Sequence, residues 1–320
     1  MSIHAIVHRL HRDSFVMRTT PARLRCRSRA RLAPKARGQA IDVRLFRSLP
    51  ITAIIDSRYG QSLYSIPMKS AEITETNMTP HAGKAGRIRD MFATIVPHYD
   101  LVNTLMTLGL DRRWRRITVA MAEPADAVAL DIATGTGELA FEMEREGASK
   151  VVGVDFCLEM VETAMKKRAS SRNASRVAFA TGDAMALPFP DATFDCVVNG
   201  FMLRNVADLG TTFRELCRVL KPGGRLVCLD LTRPRGPLRR FFDLYIATFV
   251  PLLGVVVGRK YAAYRYLFQS LTVHPDADTL ARMMRDAGFA EANYRLTGFG
   301  TVAIHLGRKA AADWCIRSAG

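Results

Sequence analysis

From about residue 126 onward, short apolar runs alternate with stretches whose apolar residues recur at helical spacing. The first run, Ala129-Leu-Asp-Ile132, passes through Ala133-Thr-Gly-Thr-Gly137 into a helix with apolar Leu139, Phe141 and Met143. Lys150–Asp155, Arg176–Ala184 and Thr193–Gly200 read as the next three strands, and Arg225–Asp230 as a fifth after a Lys221-Pro-Gly-Gly224 turn. Helical patterns separate them; Ala207–Leu220, for example, carries Phe213, Leu216 and Val219 on one side. Strands alternating with helices predict an α/β, doubly wound, mostly parallel sheet. Ala292–Leu306 breaks that rhythm, with two apolar runs joined by a glycine-rich turn, and so predicts an antiparallel C-terminal hairpin and seven strands in all. Residues 84–122 read as helices ahead of the sheet, with apolar Phe92, Ile95, Leu101 and Leu105. Met283-Met284 with Leu280 and Phe289 reads as helix packing.

Ligands of such sheets sit outside the strand C-terminal ends, and Asp131, Asp155, Asp183 and Asn199 all fall there. Gly135 and Gly137 let a ligand approach bare backbone, and the following helix offers its N-terminus to polar or anionic groups. Asp155 lies 18 residues past Gly137, where one helix and one strand fit, and an acid there can accept both hydroxyls of a ribose. A carboxylate at Asp183 can accept an adenine amine, and Ala184 leaves room for the ring. The glycine turn alone is only moderately specific, because dinucleotide-binding folds use similar turns. The terminal hairpin speaks against a nicotinamide dehydrogenase, whose sheets are usually parallel throughout.

This order of motifs resembles class I S-adenosylmethionine-dependent methyltransferases. Narrower features resemble the ubiquinone/menaquinone biosynthesis C-methyltransferases. Tyr99-Asp-Leu-Val-Asn-Thr-Leu-Met-Thr-Leu-Gly-Leu-Asp-Arg-Arg-Trp114 is similar to that family's N-terminal pattern, with Val102, Thr107 and Asp111 where Met, Ser and His are usual. Arg218–Thr232 is similar to the second pattern, with Asp230 for Glu and Thr232 for Ser. Ala186–Asp191, Phe201–Val206 (Met202 where glycine is usual), Tyr264–Leu267, Ser270 and His274–Asp276 extend the match from about Lys84 to about Lys309. The compact spacing looks more like bacterial demethylmenaquinone methyltransferases than mitochondrial relatives.

The resemblance implies S-adenosylmethionine as methyl donor, no metal, and a prenylated quinol as acceptor. The ring would be a naphthoquinol or, alternatively, the benzoquinol of ubiquinone synthesis. It places Gly135, Thr136 and Gly137 at the methionine moiety, Asp155 at the ribose, and Asp183 with Ala184 at the adenine. Asp131 either reaches the methionine amine or only orders the glycine turn. The helices of 84–122 would form a lid that brings Tyr99 and Asp100 to the donor.

Ring methylation also needs a base, or a cation and hydrogen bonds for the developing oxyanion. Arg204, Asn205 and Tyr99 are the candidate catalytic residues. Arg204 is too basic to be an easy base and would stabilise quinolate or position a water, unless it merely pairs with Asp100 or another acid. Tyr99 is equally readable as a packed aromatic. A scaffold that binds the donor without turnover is the non-enzyme alternative, disfavoured because all these residues are intact.

Composition adds bounds. The 320 residues, 48% hydrophobic, suffice for one sizeable core. The formal charge of +16 is uneven: residues 1–67 hold 13 Lys/Arg against 3 Asp/Glu. Residues 1–80 therefore read as a basic, poorly ordered leader before a catalytic domain over 81–309 (sheet core 126–308) and a tail over 310–320. The leader suits a transit peptide to the mitochondrial matrix, a disordered arm, or an extension upstream of a start at Met68. It lacks the stacking aromatics of a nucleic-acid binder, so no nucleic-acid partner is expected.

The six cysteines form no Cys-x-x-Cys and no Cys/His cluster, which points away from zinc or disulfides and towards a reducing, cytoplasmic setting. His4, His8 and His11 lack acidic or cysteine partners, His98 adjoins the lid motif, and His274 is open to a structural or substrate-facing role. Phe241–Val257 is unusually apolar but interrupted by Asp243, Pro251 and Gly254. It reads as a kinked core helix or as a wall for an isoprenoid tail resting on the inner membrane face, with Arg239, Arg240, Arg259 and Lys260 beside it. Self-association into a homo-oligomer stays open.

Overall fold

A computed structural model describes residues 80–171, 175–249, 266, 270–271 and 273–311. The leader up to residue 79, most of 250–269 and the tail from 312 lie outside the described residues, and with them the expectations for Pro251, Gly254, Arg259, Lys260 and Tyr264.

Seven strands make one sheet: β1 (Val128–Ile132), β2 (Lys150–Asp155), β3 (Val177–Thr181), β4 (Phe194–Gly200), β5 (Leu220–Leu231), β6 (Phe289–Thr297) and β7 (Val302–Lys309). Their order is β3-β2-β1-β4-β5-β7-β6. The first five run parallel, and β7 pairs antiparallel with both β5 and β6. The expected mostly parallel sheet with a terminal hairpin is therefore what the chain forms. Strand order reverses direction between β1 and β4, so their C-terminal ends flank the crevice where such sheets bind ligands.

Burial explains the apolar runs. Ala129, Leu130, Val151, Val197 and Val198 are fully enclosed, because helices cover both faces of the central strands. Helix α4 (Glu138–Arg145) follows the glycine turn and buries Leu139, Ala140 and Met143. Helix α5 (Leu158–Ser170) buries Met160, Val161 and Ala164. Helix α6 (Leu209–Val219) buries Phe213, Leu216 and Val219 as its periodicity predicts, and Asp208 caps it by accepting the Thr211 N–H. Helix α8 (Ala277–Asp286) buries Leu280 and Met284.

Three N-terminal helices precede the sheet: α1 (Pro80–Ile95), α2 (Tyr99–Met106) and α3 (Leu110–Ala122). They pack into two different apolar clusters. Trp114, Val119 and Ala122 of α3 belong to the main core with β1, β4 and β5 residues. Ile95 and Val102 instead join a small separate core with Ile246 and Leu271. That small core ties α1 and α2 to α7 (Leu238–Leu244) and the π turn after it, and the Tyr245 hydroxyl donates to Met106 O at 2.6 Å.

Two strand boundaries differ from the sequence pattern. Strand β3 ends at Thr181, and Asp183 lies beyond it in a tight turn closed by a bridge to Ala186. Strand β5 starts at Leu220 and carries Lys221-Pro-Gly-Gly224 inside it as an irregular segment, with Gly223 at φ +78°. Turn residues suggested a break there; the register shift opposite Phe194 and Cys196 absorbs the distortion instead.

Candidate functional site

A cavity of about 160 Å³ opens at the C-terminal ends of the parallel strands. Gly135, Asp155, Asp183 and Ala184 line it from the β1–β3 side, and Asn205 from the β4 side. Ile88, Phe92 and Tyr99 of α1 and α2 roof it. Six of the sequence-predicted residues thus face one cavity: Tyr99, Gly135, Asp155, Asp183, Ala184 and Asn205. Asp131, Thr136, Gly137 and Arg204 are not among its lining residues.

The glycine turn is built on hydrogen bonds and close packing. Gly135 (φ +54°) donates its N–H to Asp155 Oδ2 at 2.8 Å. Gly137 (φ +90°) opens α4, and a Cβ there would lie 2.8 Å from Phe179 and 2.9 Å from Phe141. Those two rings meet edge to face at 5.6 Å beneath the turn. Glycine at 137 is thus required by backbone conformation and by packing together.

Asp131 is wholly buried, and its Oδ2 accepts Thr134 Oγ1 at 2.6 Å and the Ala140 N–H at 3.0 Å. It ties the turn to α4, while its Oδ1 is buried without a partner. Burial pushes its carboxyl up to about 7, against the pull of those hydrogen bonds. Asp155 Oδ1 accepts the Cys157 N–H at 2.9 Å, so both its oxygens meet backbone. Burial still outweighs those bonds and raises it to about 6. Asp183 is exposed in its turn, where Oδ1 accepts the Met185 N–H at 2.9 Å.

Thr136 is engaged with α2: its hydroxyl donates to Asp100 Oδ1 at 2.7 Å. Asp100 Oδ2 meets Lys167 Nζ at 2.6 Å, and the same ammonium reaches Glu138 at 2.8 Å. Lys167 is a residue that sequence reasoning missed. Its place on α5, 31 residues past Thr136, gives no local pattern to read.

At the β4 end, Phe201 adopts φ +60° and lines the cavity; Ala133, at φ +53°, does so after β1. Left-handed non-glycine residues are uncommon, and these two bracket the cavity mouth. Arg204 does not pair with Asp100. It donates from Nη1 to Asp230 Oδ1, and both side chains are nearly sealed, at 10% and 1% exposure. Its guanidinium lies 5.5 Å from the Phe201 ring centroid, and that of Arg115 lies 5.9 Å from it.

Asn205 donates to Phe201 O at 3.1 Å and accepts the Tyr266 hydroxyl at 3.3 Å. Tyr99 stacks edge to face on Phe92 at 6.2 Å, and burial raises its phenol despite nearby Arg115 and Arg204. His98 is exposed and stays away from the cavity lining. Among the described residues, no cluster of His, Cys, Asp or Glu is arranged to hold a metal ion.

The ubiE/COQ5 methyltransferase family matches residues 81–309. The chain is 45% identical over 240 residues to a demethylmenaquinone methyltransferase of Roseiflexus castenholzii, covering 73% of this chain and 98% of that one. It is 40% identical over 237 residues to the ubiquinone/menaquinone biosynthesis C-methyltransferase UbiE of Teredinibacter turnerae, covering 72% and 94%. A solved Thermotoga maritima structure, described as an S-adenosylmethionine-dependent methyltransferase, has the same fold (TM-score 0.51, 20% identity, 69% of this chain and 99% of that one). With a family match spanning residues 81–309 and relatives aligned over nearly their whole length, this chain belongs to the ubiE/COQ5 methyltransferase family.

Proposed function

We propose that this chain methylates a ring carbon of a prenylated quinol, with demethylmenaquinol as the acceptor and S-adenosylmethionine as the donor. The carrying observation is one cavity that joins Gly135, Asp155, Asp183 and Ala184 to Asn205, next in sequence to Arg204. The first group fits the donor. Gly135 presents bare backbone, and Asp155 is an enclosed acid that ribose hydroxyls would supply with donors. Asp183 and Ala184 suit an adenine edge and face. The bound donor supplies an electrophilic methyl on a sulfonium, so the protein has to position, desolvate and stabilise charge. Phe92, Phe201 and Met202 exclude water around the transfer, and Arg204 favours the acceptor's anionic form.

The acceptor's tail would leave towards α2 and α7. Their outer faces are apolar, with Leu101, Leu105, Phe241 and Leu244 exposed beside Arg239 and Arg240. Such a face suits peripheral contact with an anionic bilayer. No helix among the described residues is long and apolar enough to cross a membrane. The benzoquinol acceptor of ubiquinone synthesis is the second reading, favoured by relatives named for both pathways.

The test is methyl transfer by the full chain from labelled S-adenosylmethionine to reduced demethylmenaquinone and, separately, to the benzoquinol analogue. Label in menaquinol is the expected result. Label only in the benzoquinol selects the second reading. Label in neither, with the donor still bound, indicates a non-catalytic scaffold or another acceptor.

A further inference from the structure

Two residues at turn tips cost the fold stability without a return in packing. Leu108 (φ +52°) and Phe299 (φ +58°) hold left-handed backbone, which a bulky side chain rarely adopts. They are also the two most exposed large apolar side chains among the described residues, at 85% and 82%. Burial within the chain thus offsets neither strain. Gly109 follows Leu108, and Gly298 and Gly300 flank Phe299, each of the three also left-handed. Both side chains therefore stand at the tips of tight turns.

Both tips border the start of α3. Leu108 leads into it through Gly109, its N-cap. The β6–β7 turn is pinned on the other side. A Cβ on Gly298 would lie 3.0 Å from the Trp114 ring, Thr301 Oγ1 donates to Gly298 O at 2.7 Å, and Thr232 donates its N–H to Thr301 O at 2.8 Å. Trp114 lies five residues past Gly109, about 7.5 Å along the helix axis. The same stretch of α3 carries Arg112, Arg113 and Arg116, all exposed and without an ion pair among the described residues. Asp111, the sole acid from residue 101 to 122, is buried and faces Arg115 at 3.8 Å. The patch is apolar at its two tips and uncompensated positive between them.

We propose that this patch docks on an anionic lipid bilayer, with Leu108 and Phe299 entering the boundary between headgroups and acyl chains and Arg112, Arg113 and Arg116 meeting lipid phosphates. It goes beyond the quinol reading, which assigns no part to α3 or to the β6–β7 turn.

Charge and shape select this occupant. Arginines close to an anionic leaflet add attraction, and apolar side chains set into the interface add hydrophobic burial. Two separate tips suit a phase that yields around each of them, whereas a folded partner would need a matching pocket for each. The left-handed turns keep both side chains off the protein's own surface, so docking has no packing to undo. Because the turns are pinned, it also orders little.

Co-sedimentation of the full chain with vesicles tests this, using phosphatidylcholine with and without phosphatidylglycerol. Neither donor nor quinol is present, so failure here leaves the methylation reading untouched. Leu108→Gly combined with Phe299→Gly should weaken binding to phosphatidylglycerol vesicles about tenfold or more. The urea midpoint of that variant should equal or exceed the wild type's, because glycine relieves the left-handed strain. A lower midpoint means that the two side chains serve the fold, and overturns the proposal. Arg112→Gln, Arg113→Gln and Arg116→Gln together should also weaken binding about tenfold or more, with little change on phosphatidylcholine alone. In Phe299→Trp, bromines on the acyl chains should quench fluorescence beyond the quenching seen in wild type. That readout is insensitive to the basic residues 1–67, which by charge alone would hold the chain to an anionic vesicle. Binding within about twofold of wild type in the glycine or the glutamine variant overturns the proposal. So does Phe299→Trp without added quenching, which would turn the search to an acidic protein partner.

Discussion

At the β1/β2 end of the cavity, Asp155 spends both carboxylate oxygens on backbone N–H groups; at the β4/β5 end, Asp230 spends one and leaves the other bare. The contrast extends to the neighbours. The glycine turn is cross-tied by Asp131, Thr134, Thr136 and Asp100, with Asp131 Oδ1 its one unpaired exception. On the other side, Asn199 Oδ1 of β4 and Asp230 Oδ2 of β5 are buried without partners. A group fixed by its own fold is in place before a ligand arrives and loses little freedom on binding. An unpaired buried atom raises the free protein's energy and rewards a ligand that completes it. The donor end is therefore preorganised, and the acceptor end is unfinished.

The strongest way to break this contrast is to spoil the preorganised end. Gly137→Val should cost about 2–5 kcal/mol, from the left-handed backbone and from crowding Phe179 and Phe141. Donor binding should go with it. Gly223→Ala has the same sign of φ but open space around the new Cβ, and should cost only about 1–2 kcal/mol. Urea denaturation of the pair separates clash from backbone strain; equal losses would show that packing under the turn is not what demands glycine.

The contrast also predicts a dissociation of functions. Asp155→Ala should weaken donor binding about 100-fold or more, since hydrogen bonds to a charged group contribute about 1.5–3 kcal/mol each. Arg204→Ala should keep donor affinity within about threefold and lower turnover about 100-fold or more. It also strands a buried carboxylate at Asp230, so its folding stability should fall by about 3–5 kcal/mol. Calorimetry and denaturation on each variant check both halves; unchanged turnover in Arg204→Ala would remove that residue from the chemistry.

A smaller effect follows from the buried acids of the donor end. Asp131 at about 7 and Asp155 at about 6 hold protons more tightly folded than unfolded. Stability of the free protein should therefore be greatest in mild acid and fall as pH rises from about 4 to 7, where the unfolded carboxyls ionise first. Asp131→Asn should flatten that slope. Donor affinity should run the other way, falling as pH drops through about 6, because a protonated Asp155 is a poorer acceptor.

The donor end was also the more legible end in the sequence. Asp155 closes β2, and Gly135 and Asp183 follow β1 and β3 within three residues, so strand periodicity and the rule that ligands gather at strand ends place them together. The hairpin was legible for the same reason, as two apolar runs around Gly298 and Gly300. The acceptor end depends on contacts that no local pattern encodes. Arg204 meets Asp230 across 26 residues and Tyr266 reaches Asn205 across 61. Asp230 reads as an ordinary strand end until the pairing of β4 with β5 brings Arg204 to it. Nor does any local pattern encode that Trp114 of α3 packs into the sheet core.

The smallest predicted effect concerns the tie between the two levels of the donor end. Asp100 on α2 holds Thr136, and Lys167 bridges Asp100 to Glu138, but these charged groups are 32–44% exposed. Water screens such pairs, and each contributes about 0.2–1 kcal/mol. Lys167→Met should thus change global stability by less than about 1 kcal/mol. Its effect should instead be local, with faster amide exchange in Tyr99–Met106, whose buried Val102 belongs to the small core with Ile95, Ile246 and Leu271. Raising salt on the wild type should produce part of the same loosening. Hydrogen-exchange mass spectrometry decides it. Unchanged exchange in Tyr99–Met106 would mean that the small apolar core alone seats α2 over the glycine turn, and that Asp100 orients Thr136 without fastening the helix.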